Sequence, residues 1–378
     1  MPMPTHLSPA AVEEFGRELD AIRNEVLDSR GARDARYIRA VIRTQRYLAL
    51  GGRLVIFASL AFLPRWEHAL ANSTLFWTVM IAGVLMLALA KVLENMEIGH
   101  NVSHAQWDWM RDPNIQSGSW EWDHFCPSDQ WKHAHNVVHH TWTNVLGKDD
   151  DVGYGLLRLF PEQRWKPFYL GQPIYAFLLA VLFELGIAIQ ELRLGRLFSG
   201  RSTLAEMRPA LSKTGRKIGR QMLKDYVLWP LLAGPLFLYV MAANAVANVL
   251  RNLWTFLIIF CGHFPSGVHV FTKQEVEGET RARWYVRQLL GSCNIRGGKL
   301  FDILSGNLSH QIEHHLFPDL PSNRYPEIAP RVRAICARYR LPYNEGSLLR
   351  QFGTTLCKIL RMGFPSAPQA PAAAGAQR

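Results

Sequence analysis

Apolar residues along this chain gather into four stretches that approach the length of a bilayer crossing. They are 47–64, 74–90, 226–246 and 247–262, each near the ~20 residues that a ~30 Å hydrocarbon layer asks of a helix. Short connections join the first stretch to the second and the third to the fourth, so the pattern predicts two helical hairpins. Arg53 and Arg251 interrupt two of the stretches, whereas 74–90 and 226–246 hold no charge. A fifth stretch, 168–190, is long enough to cross but contains Pro173, Glu184 and Gly186; it is read as an interfacial or buried helix. Residues 10–29 mix acidic and apolar positions at helical spacing. The expected organisation is therefore amphipathic helices over 1–46, a membrane domain over 47–345, a C-terminal helix over 346–364 and a Pro/Ala-rich, disordered tail over 365–378.

Charge orients these spans. Lys and Arg number 42 against 31 Asp and Glu, a net charge of +11. Eight of the basic residues lie in 1–46, sixteen in 91–225 and fifteen in 264–378, while the hairpin connections hold almost none. By the positive-inside rule both termini and the large middle segment are expected on the cytoplasmic side. The excess is spread over every such segment, which removes nucleic acid as its explanation. Five cysteines stand far apart with no CxxC pair, against both a disulfide framework and a cysteine-held metal.

The chemistry lies in the histidines. Seven of the fourteen fall within 100–140 and three more within 310–315. His100 and His104 form H-x3-H just beyond the second stretch. His135, His139 and His140 form H-x3-H-H, and His310, His314 and His315 repeat that spacing. His263 stands where the fourth stretch ends. Histidines four apart share one helical face and can hold one ion, and the neighbour in each doublet points about 100° away toward a second. Imidazole suits iron, zinc, copper or nickel. Nine candidates are too many for one ion of three or four ligands and suit two. A continued helix lifts His100, ten residues past Ala90, roughly 15 Å beyond the apolar run, so the centre is expected in a cap above the membrane. Glu97, Glu313 and the acidic run Asp149, Asp150 and Asp151 are candidates for orienting the imidazoles.

The chain has no GxGxxG, no GxxxxGK[ST] and no HExxH. A histidine-only redox centre without an internal electron carrier must draw electrons from another protein.

The order HNVSH, HNVVHH, HQIEHH resembles the three histidine boxes of the membrane fatty acid desaturases. The likeness covers roughly residues 70–345, including GHFP and LFPDLP, and MEIGHNVSHAQWDWM with GKDDDVGYG is most similar to stand-alone bacterial acyl-CoA desaturases of the mycobacterial kind. It implies an all-α integral membrane enzyme of the bacterial cytoplasmic membrane, with four transmembrane helices under a cytoplasmic cap. It also implies a non-haem di-iron site that uses O2 and two electrons to place a cis double bond in an acyl chain carried on CoA or another acyl carrier. His100, His104, His135, His139, His140, His314 and His315 match box ligands, and His263 matches an added ligand. Box three aligns in two ways, leaving His310 and Gln311 as alternatives. Asn101 stands where box one often has Asp, in place of a supporting carboxylate. No HPGG haem module is present, which points to a ferredoxin-type donor with an NAD(P)H reductase. Hydroxylation of an alkane, sterol or carotenoid on the same scaffold is the nearest rival, and a metal transporter the rival from another class; the latter would place histidines or acids inside the spans.

Overall fold

The computed structural model describes residues 6–63, 69–198 and 200–365. The connection holding Arg65 and His68 and, beyond Pro365, the tail expected to be disordered lie outside the described residues. Helix α1 (Pro9–Asp28) starts at Ser8, whose hydroxyl accepts from the Ala11 amide, with Pro9 in the first turn, where no amide donor is needed. Its Phe15, Leu19, Ile22 and Val26 form one buried stripe against the cap. Helix α2 (Ala32–Ser59) changes character midway. Ile38, Val41 and Ile42 are buried against the cap, whereas from Tyr47 onward Leu50 and Leu54 face outward. Helix α3 (Ala69–Leu93) packs on α2 at a close crossing of two glycines. A Cβ on Gly52 would lie 2.8 Å from the Leu87 nitrogen, and one on Gly83 2.8 Å from that of Ile56.

Helix α3 does not end at the apolar boundary. It widens into a π-turn over Glu94–His100 and runs on through Asn101–Ser103, making Ser73–Ser103 one helix of 31 residues, long and apolar enough to cross a membrane. At ~1.5 Å per residue it exceeds the ~30 Å layer, and the surplus carries box one. Helix α4 (Ser128–Lys132) continues through a second π-turn (His133–His139) into His140–Trp142 and carries box two. Helices α5 (Gln172–Val181) and α6 (Phe183–Glu191) are bent by 100°, so the fifth apolar stretch is not a straight rod.

The second hairpin differs from expectation. Helix α7 (Leu204–Leu223) passes a third π-turn (Lys224–Leu228) and ends at Trp229–Leu231. Gly234, with φ +54°, and Pro235 then turn the chain into α8 (Phe237–His263), which runs unbroken through 246 and 247. The boundary between the expected third and fourth spans is thus wrong: 226–231 closes one helix, and Gly234–His263 is the second helix long and apolar enough to cross. Hydropathy runs smoothly over the Gly-Pro break because both residues sit among leucines; the backbone, not the apolarity, marks the turn.

The remaining cap holds α9 (Arg281–Leu290), β1 (Asn294–Arg296), α10 (Lys299–Leu304), α11 (Gln311–Leu316), α12 (Tyr325–Arg338), β2 (Glu345–Ser347) and α13 (Leu348–Met362). β1 pairs in parallel with β2, Ile295 opposite Gly346, a small departure from the expected all-α fold. Its apolar centre joins α1, α9, α11 and α12 through Phe15, Tyr285, Leu316 and Val332.

Arg53 and Arg251 face inward rather than toward lipid. Arg53 meets Asp225 at 3.3 Å, and Lys91 bridges Asp225 at 2.8 Å and Asp123 at 3.3 Å. Arg251 pairs with Glu184 and donates to Asn95 at 3.2 Å. Asn244 and Asn248 of α8 donate to Asp225 as well. This buried network ties α2, α3, α6, α7 and α8 together beneath the cap.

Candidate metal centre

Four elements converge above the network: the end of α3 with box one, α4 with box two, the last residue of α8, and α11 with box three. His100, His104, His135 and His314 bring their ligand atoms within 4.8 Å of one another, as do His139, His263 and His315. His140, His314 and His315 form a third such group, and His135, His139 and Asp151 a fourth. The groups share members, so the eight histidines make one double chamber. The rings of His140 and His315 stack at 4.5 Å between its halves. All eight side chains are buried.

Several of the ring nitrogens are fixed from outside. The His139 Nδ1–H donates to the Asp149 carboxylate at 3.1 Å, and Asp149 also accepts from the Asn144 amide. Gln288 Oε1 accepts from His315 Nδ1 at 2.9 Å while its Nε2 donates to the His140 carbonyl. Asn101 Oδ1 accepts from His100 Nδ1 at 2.9 Å, its amide being anchored on the Glu97 and Gly306 carbonyls. His314 Nδ1 faces the Tyr325 hydroxyl at 3.4 Å. With Nδ1 occupied, Nε2 is left to point inward. The Nε2 atoms of His104, His139, His140 and His314 are buried without any hydrogen-bond partner, and the Nε2 atoms of His100 and His135 face each other at 3.3 Å, as do those of His263 and His315. An unpaired buried polar atom costs about 1–3 kcal/mol. Such a concentration of them fits metal ions as the missing partners.

Protonation points the same way. Burial, reinforced by mutual repulsion, holds His104, His135, His140, His314 and His315 well below the usual imidazole range, in the neutral ligating form. His139 is the exception: burial pulls it down, but Asp149 and Asp151 outweigh that and lift it to about 9.

Four expectations need correction. His310 lies outside every one of these groups, partly exposed, 3.9 Å from both Asp302 and Glu313; it sits on a 3₁₀ turn that rotates it out of phase with α11. Gln311 faces the chamber instead, its amide 2.9 Å from His263 Nε2. Asp150 turns away to Arg193, and Asp149 and Asp151 take the imidazole contacts. Glu97 touches no imidazole; it accepts from Ser322 at 2.5 Å and Asn307 at 2.9 Å, pinning α3 to the box-three segment. Glu313 likewise accepts from Asn294 and Tyr343, both at 2.8 Å. The pattern gave no sign of Gln288, Thr143 or Tyr325, because they contact box residues across 11 to 172 positions of chain. Elsewhere, His6, His124, His133 and His269 stand apart from the cluster; His124 stacks on Trp122 at 4.3 Å.

Comparison with known proteins now bears on this centre. The family model described as fatty acid desaturase matches residues 75–347. The chain is 48% identical over 364 residues to the NADPH-dependent stearoyl-CoA 9-desaturase of Mycobacterium tuberculosis, covering 95% of this chain and 82% of that protein. It is 24% identical over 295 residues to the sn-1 linoleoyl-lipid 6-desaturase of Synechocystis, covering 74% and 79%. Fatty acid desaturase 3 of Bos taurus is 28% identical over 245 residues, 62% of this chain and 49% of the other.

Proposed function

The chain belongs to the fatty acid desaturase family, and from that premise we propose that it is a stearoyl-CoA desaturase acting at position 9, with two iron ions in the double chamber. Acyl-CoA desaturation itself rests on the family and on the relative that shares 48% of its residues. The observation carrying the metal reading is the set of buried, partnerless Nε2 atoms aimed at common points. His100, His104, His135 and His314 would hold one ion, and His139, His263 and His315 the other, with His140 between them. Bound iron with O2 supplies the oxidising power that removes two hydrogens from adjacent methylenes.

The chain's own part is positional. Asp149, Gln288 and Asn101 each hold one imidazole by Nδ1 so that Nε2 is presented without rearrangement. Burial of the chamber excludes bulk water. The four apolar passages would place both termini and the cap on the cytoplasmic side of a bacterial membrane, with α5 and α6 dipping in without crossing. Electrons would arrive from NADPH through a reductase and a separate ferredoxin-type protein.

Expression in a desaturase-negative host followed by fatty-acid profiling tests the activity. An octadecenoic acid with a cis bond at position 9 is expected; a hydroxylated product, or a bond elsewhere, overturns the reading. Metal analysis of protein loaded anaerobically with ferrous iron should give about two irons per chain, and a single zinc would sink the two-iron assignment.

A further inference from the structure

Trp131 stands on α4 four residues before His135, and its indole stacks face to face on that imidazole, the centroids 4.3 Å apart and the planes 18° from parallel. The same indole meets the rings of His100 at 5.4 Å and His104 at 5.9 Å. It therefore touches three of the four histidines whose ligand atoms form one group. Trp122 follows at 5.0 Å from Trp131. Both are buried in one cluster with Cys126, and Trp120, partly exposed, packs against that cluster. Indoles thus run from the surface to the chamber. The group of His139, His263 and His315 has no tryptophan or tyrosine in ring contact with it among the described residues.

Packing asks only for a flat ring of that size; indole adds a chemical property. It gives up an electron far more readily than a phenyl ring or a neutral imidazole, and can do so while keeping its N–H proton. Tyr325, whose hydroxyl is 3.4 Å from His314 Nδ1, is not equivalent: a phenol loses its electron together with its proton, and this hydroxyl donates to the Phe317 carbonyl, which is no base. The Trp122 N–H also donates to a carbonyl, that of Cys126 at 2.7 Å, but an oxidised indole keeps that proton and the carbonyl dipole favours its positive charge. We propose that Trp131, Trp122 and Trp120 form an electron lead that discharges the oxidised centre when no acyl chain is in place. The proposal rests on the two-iron reading above. Turning O2 into two waters takes four electrons; in desaturation two come from the donor protein and two, with two protons, from the C–H bonds. Without substrate the second pair would be drawn from the ligands themselves, a competing reaction that the protein has to suppress. Along the lead, Trp131 gives one electron to the centre, Trp122 refills Trp131, Trp120 refills Trp122, and a thiol in solution refills Trp120. Two passages join two thiols in a disulfide, and the two protons they release replace those of the methylenes. An indole is too hard to oxidise to relay electrons to the resting centre, so the lead acts only after O2 has reacted.

The test uses the full chain in phosphatidylcholine nanodiscs, made with ring-deuterated tryptophan and loaded anaerobically with ferrous iron, which carries the first two electrons. It is exposed to O2 without acyl-CoA or thiol. Freeze-quench electron paramagnetic resonance should show an organic radical whose splitting changes with the label, and peptide mass spectrometry should find oxidised indoles at 131, 122 and 120 with the histidines intact. Trp131→Phe keeps a ring against His135 but not the electron; with iron uptake equal to wild type, the radical should vanish and oxidation should move to His100 and His135. Trp122→Phe, which carries the test if Trp131→Phe does not fold, should keep the radical at Trp131 and lose oxidation at Trp120. Trp107→Phe, buried but in no ring contact with a histidine among the described residues, should match wild type. Added glutathione should suppress the oxidised indoles of wild type and appear as its disulfide. Wild type that binds iron and consumes O2 with no tryptophan radical and no oxidised indole, or Trp131→Phe that keeps both, overturns the lead alone. Wild type that takes up no iron overturns the two-iron reading and takes the lead with it.

Discussion

Two buried polar clusters lie one above the other in this molecule, and they are built on opposite principles. In the lower one, charges on five helices are matched to one another: Arg53 and Lys91 to Asp225, Arg251 to Glu184, with asparagines filling the remaining positions. In the upper one, Nδ1 is held on His100, His139 and His315 while the Nε2 atoms of His104, His139, His140 and His314 are left bare. A closed network holds helices in place; an open one is waiting for something. The side chains that keep the upper cluster open are as informative as the ligands themselves.

The largest effects should separate the two. His139→Ala or His314→Ala should abolish turnover and remove metal, since each deletes an inward nitrogen; His314→Ala should leave the thermal stability of the metal-free protein near wild type, whereas His139→Ala also strips buried Asp149 of its partner and should lower it. Iron analysis beside a melting curve checks both halves; full activity in either variant contradicts the ligand assignment. In the lower cluster the signature reverses. Arg251→Met leaves Glu184 buried without its partner and should cost about 3–5 kcal/mol, whereas Arg251→Met/Glu184→Leu should recover most of that. Melting in detergent reads the cost, and iron content per folded molecule should hold in both. A double variant as unstable as the single would mean that the pair does more than neutralise itself.

A smaller effect is expected one shell further out. Asp149→Asn keeps the shape but weakens the hold on His139, and iron affinity should fall about 10–100-fold. The corresponding change at Asp150, which pairs with Arg193, should leave affinity unchanged, and equal losses would undo the distinction drawn between neighbours. The smallest effect is on pH. Five buried imidazoles have folded pKa values below the usual ~6.5, so unfolding takes up protons and metal-free stability should fall as pH drops below about 6.5. His139, raised to about 9, works the other way: its contribution is full below about 6.5 and is lost as pH rises through 9. The acid-side loss should dominate, and a Tm that rises toward pH 5 would contradict it.

The chamber was legible where chemistry is written in residue type. Histidine spacing named seven of the eight converging imidazoles and the end of an apolar stretch named His263, with Asn101 and Gln311 standing beside them. His310 shows where spacing stops: box three has the same H-x3-H-H spacing as box two, but the residues before Gln311 form a 3₁₀ turn, and a different rotation per residue sends the first histidine elsewhere. Gln288 shows the other limit, since nothing local distinguishes the glutamine that will meet an imidazole, and within the acidic run only the fold picks Asp149 and Asp151 over Asp150. Among the spans, 74–90 was legible because length and apolarity coincide there, and α8 was misdivided because Gly234 and Pro235 break the helix without interrupting the hydropathy. The arginines at 53 and 251 read as blemishes because a sequence lists charges without their partners.

The π-turns at Glu94–His100 and His133–His139 have a consequence for how this scaffold tolerates change. Each accommodates about one residue more than an α-helix would over the same rise, a local surplus common at functional sites. In α3 that surplus lets one helix obey two clocks, with its lower part keyed to lipid and its upper part to the imidazoles. Removing a single residue such as Met96 from the π-turn would be absorbed by a return to uniform α-winding, whereas removing one from the regular part of α3 below it would swing everything above by about 100°. Substitutions along α3 are therefore matters of size and polarity, but a one-residue deletion in its regular part is a matter of phase, and the histidines would miss their chamber without one of them having been altered.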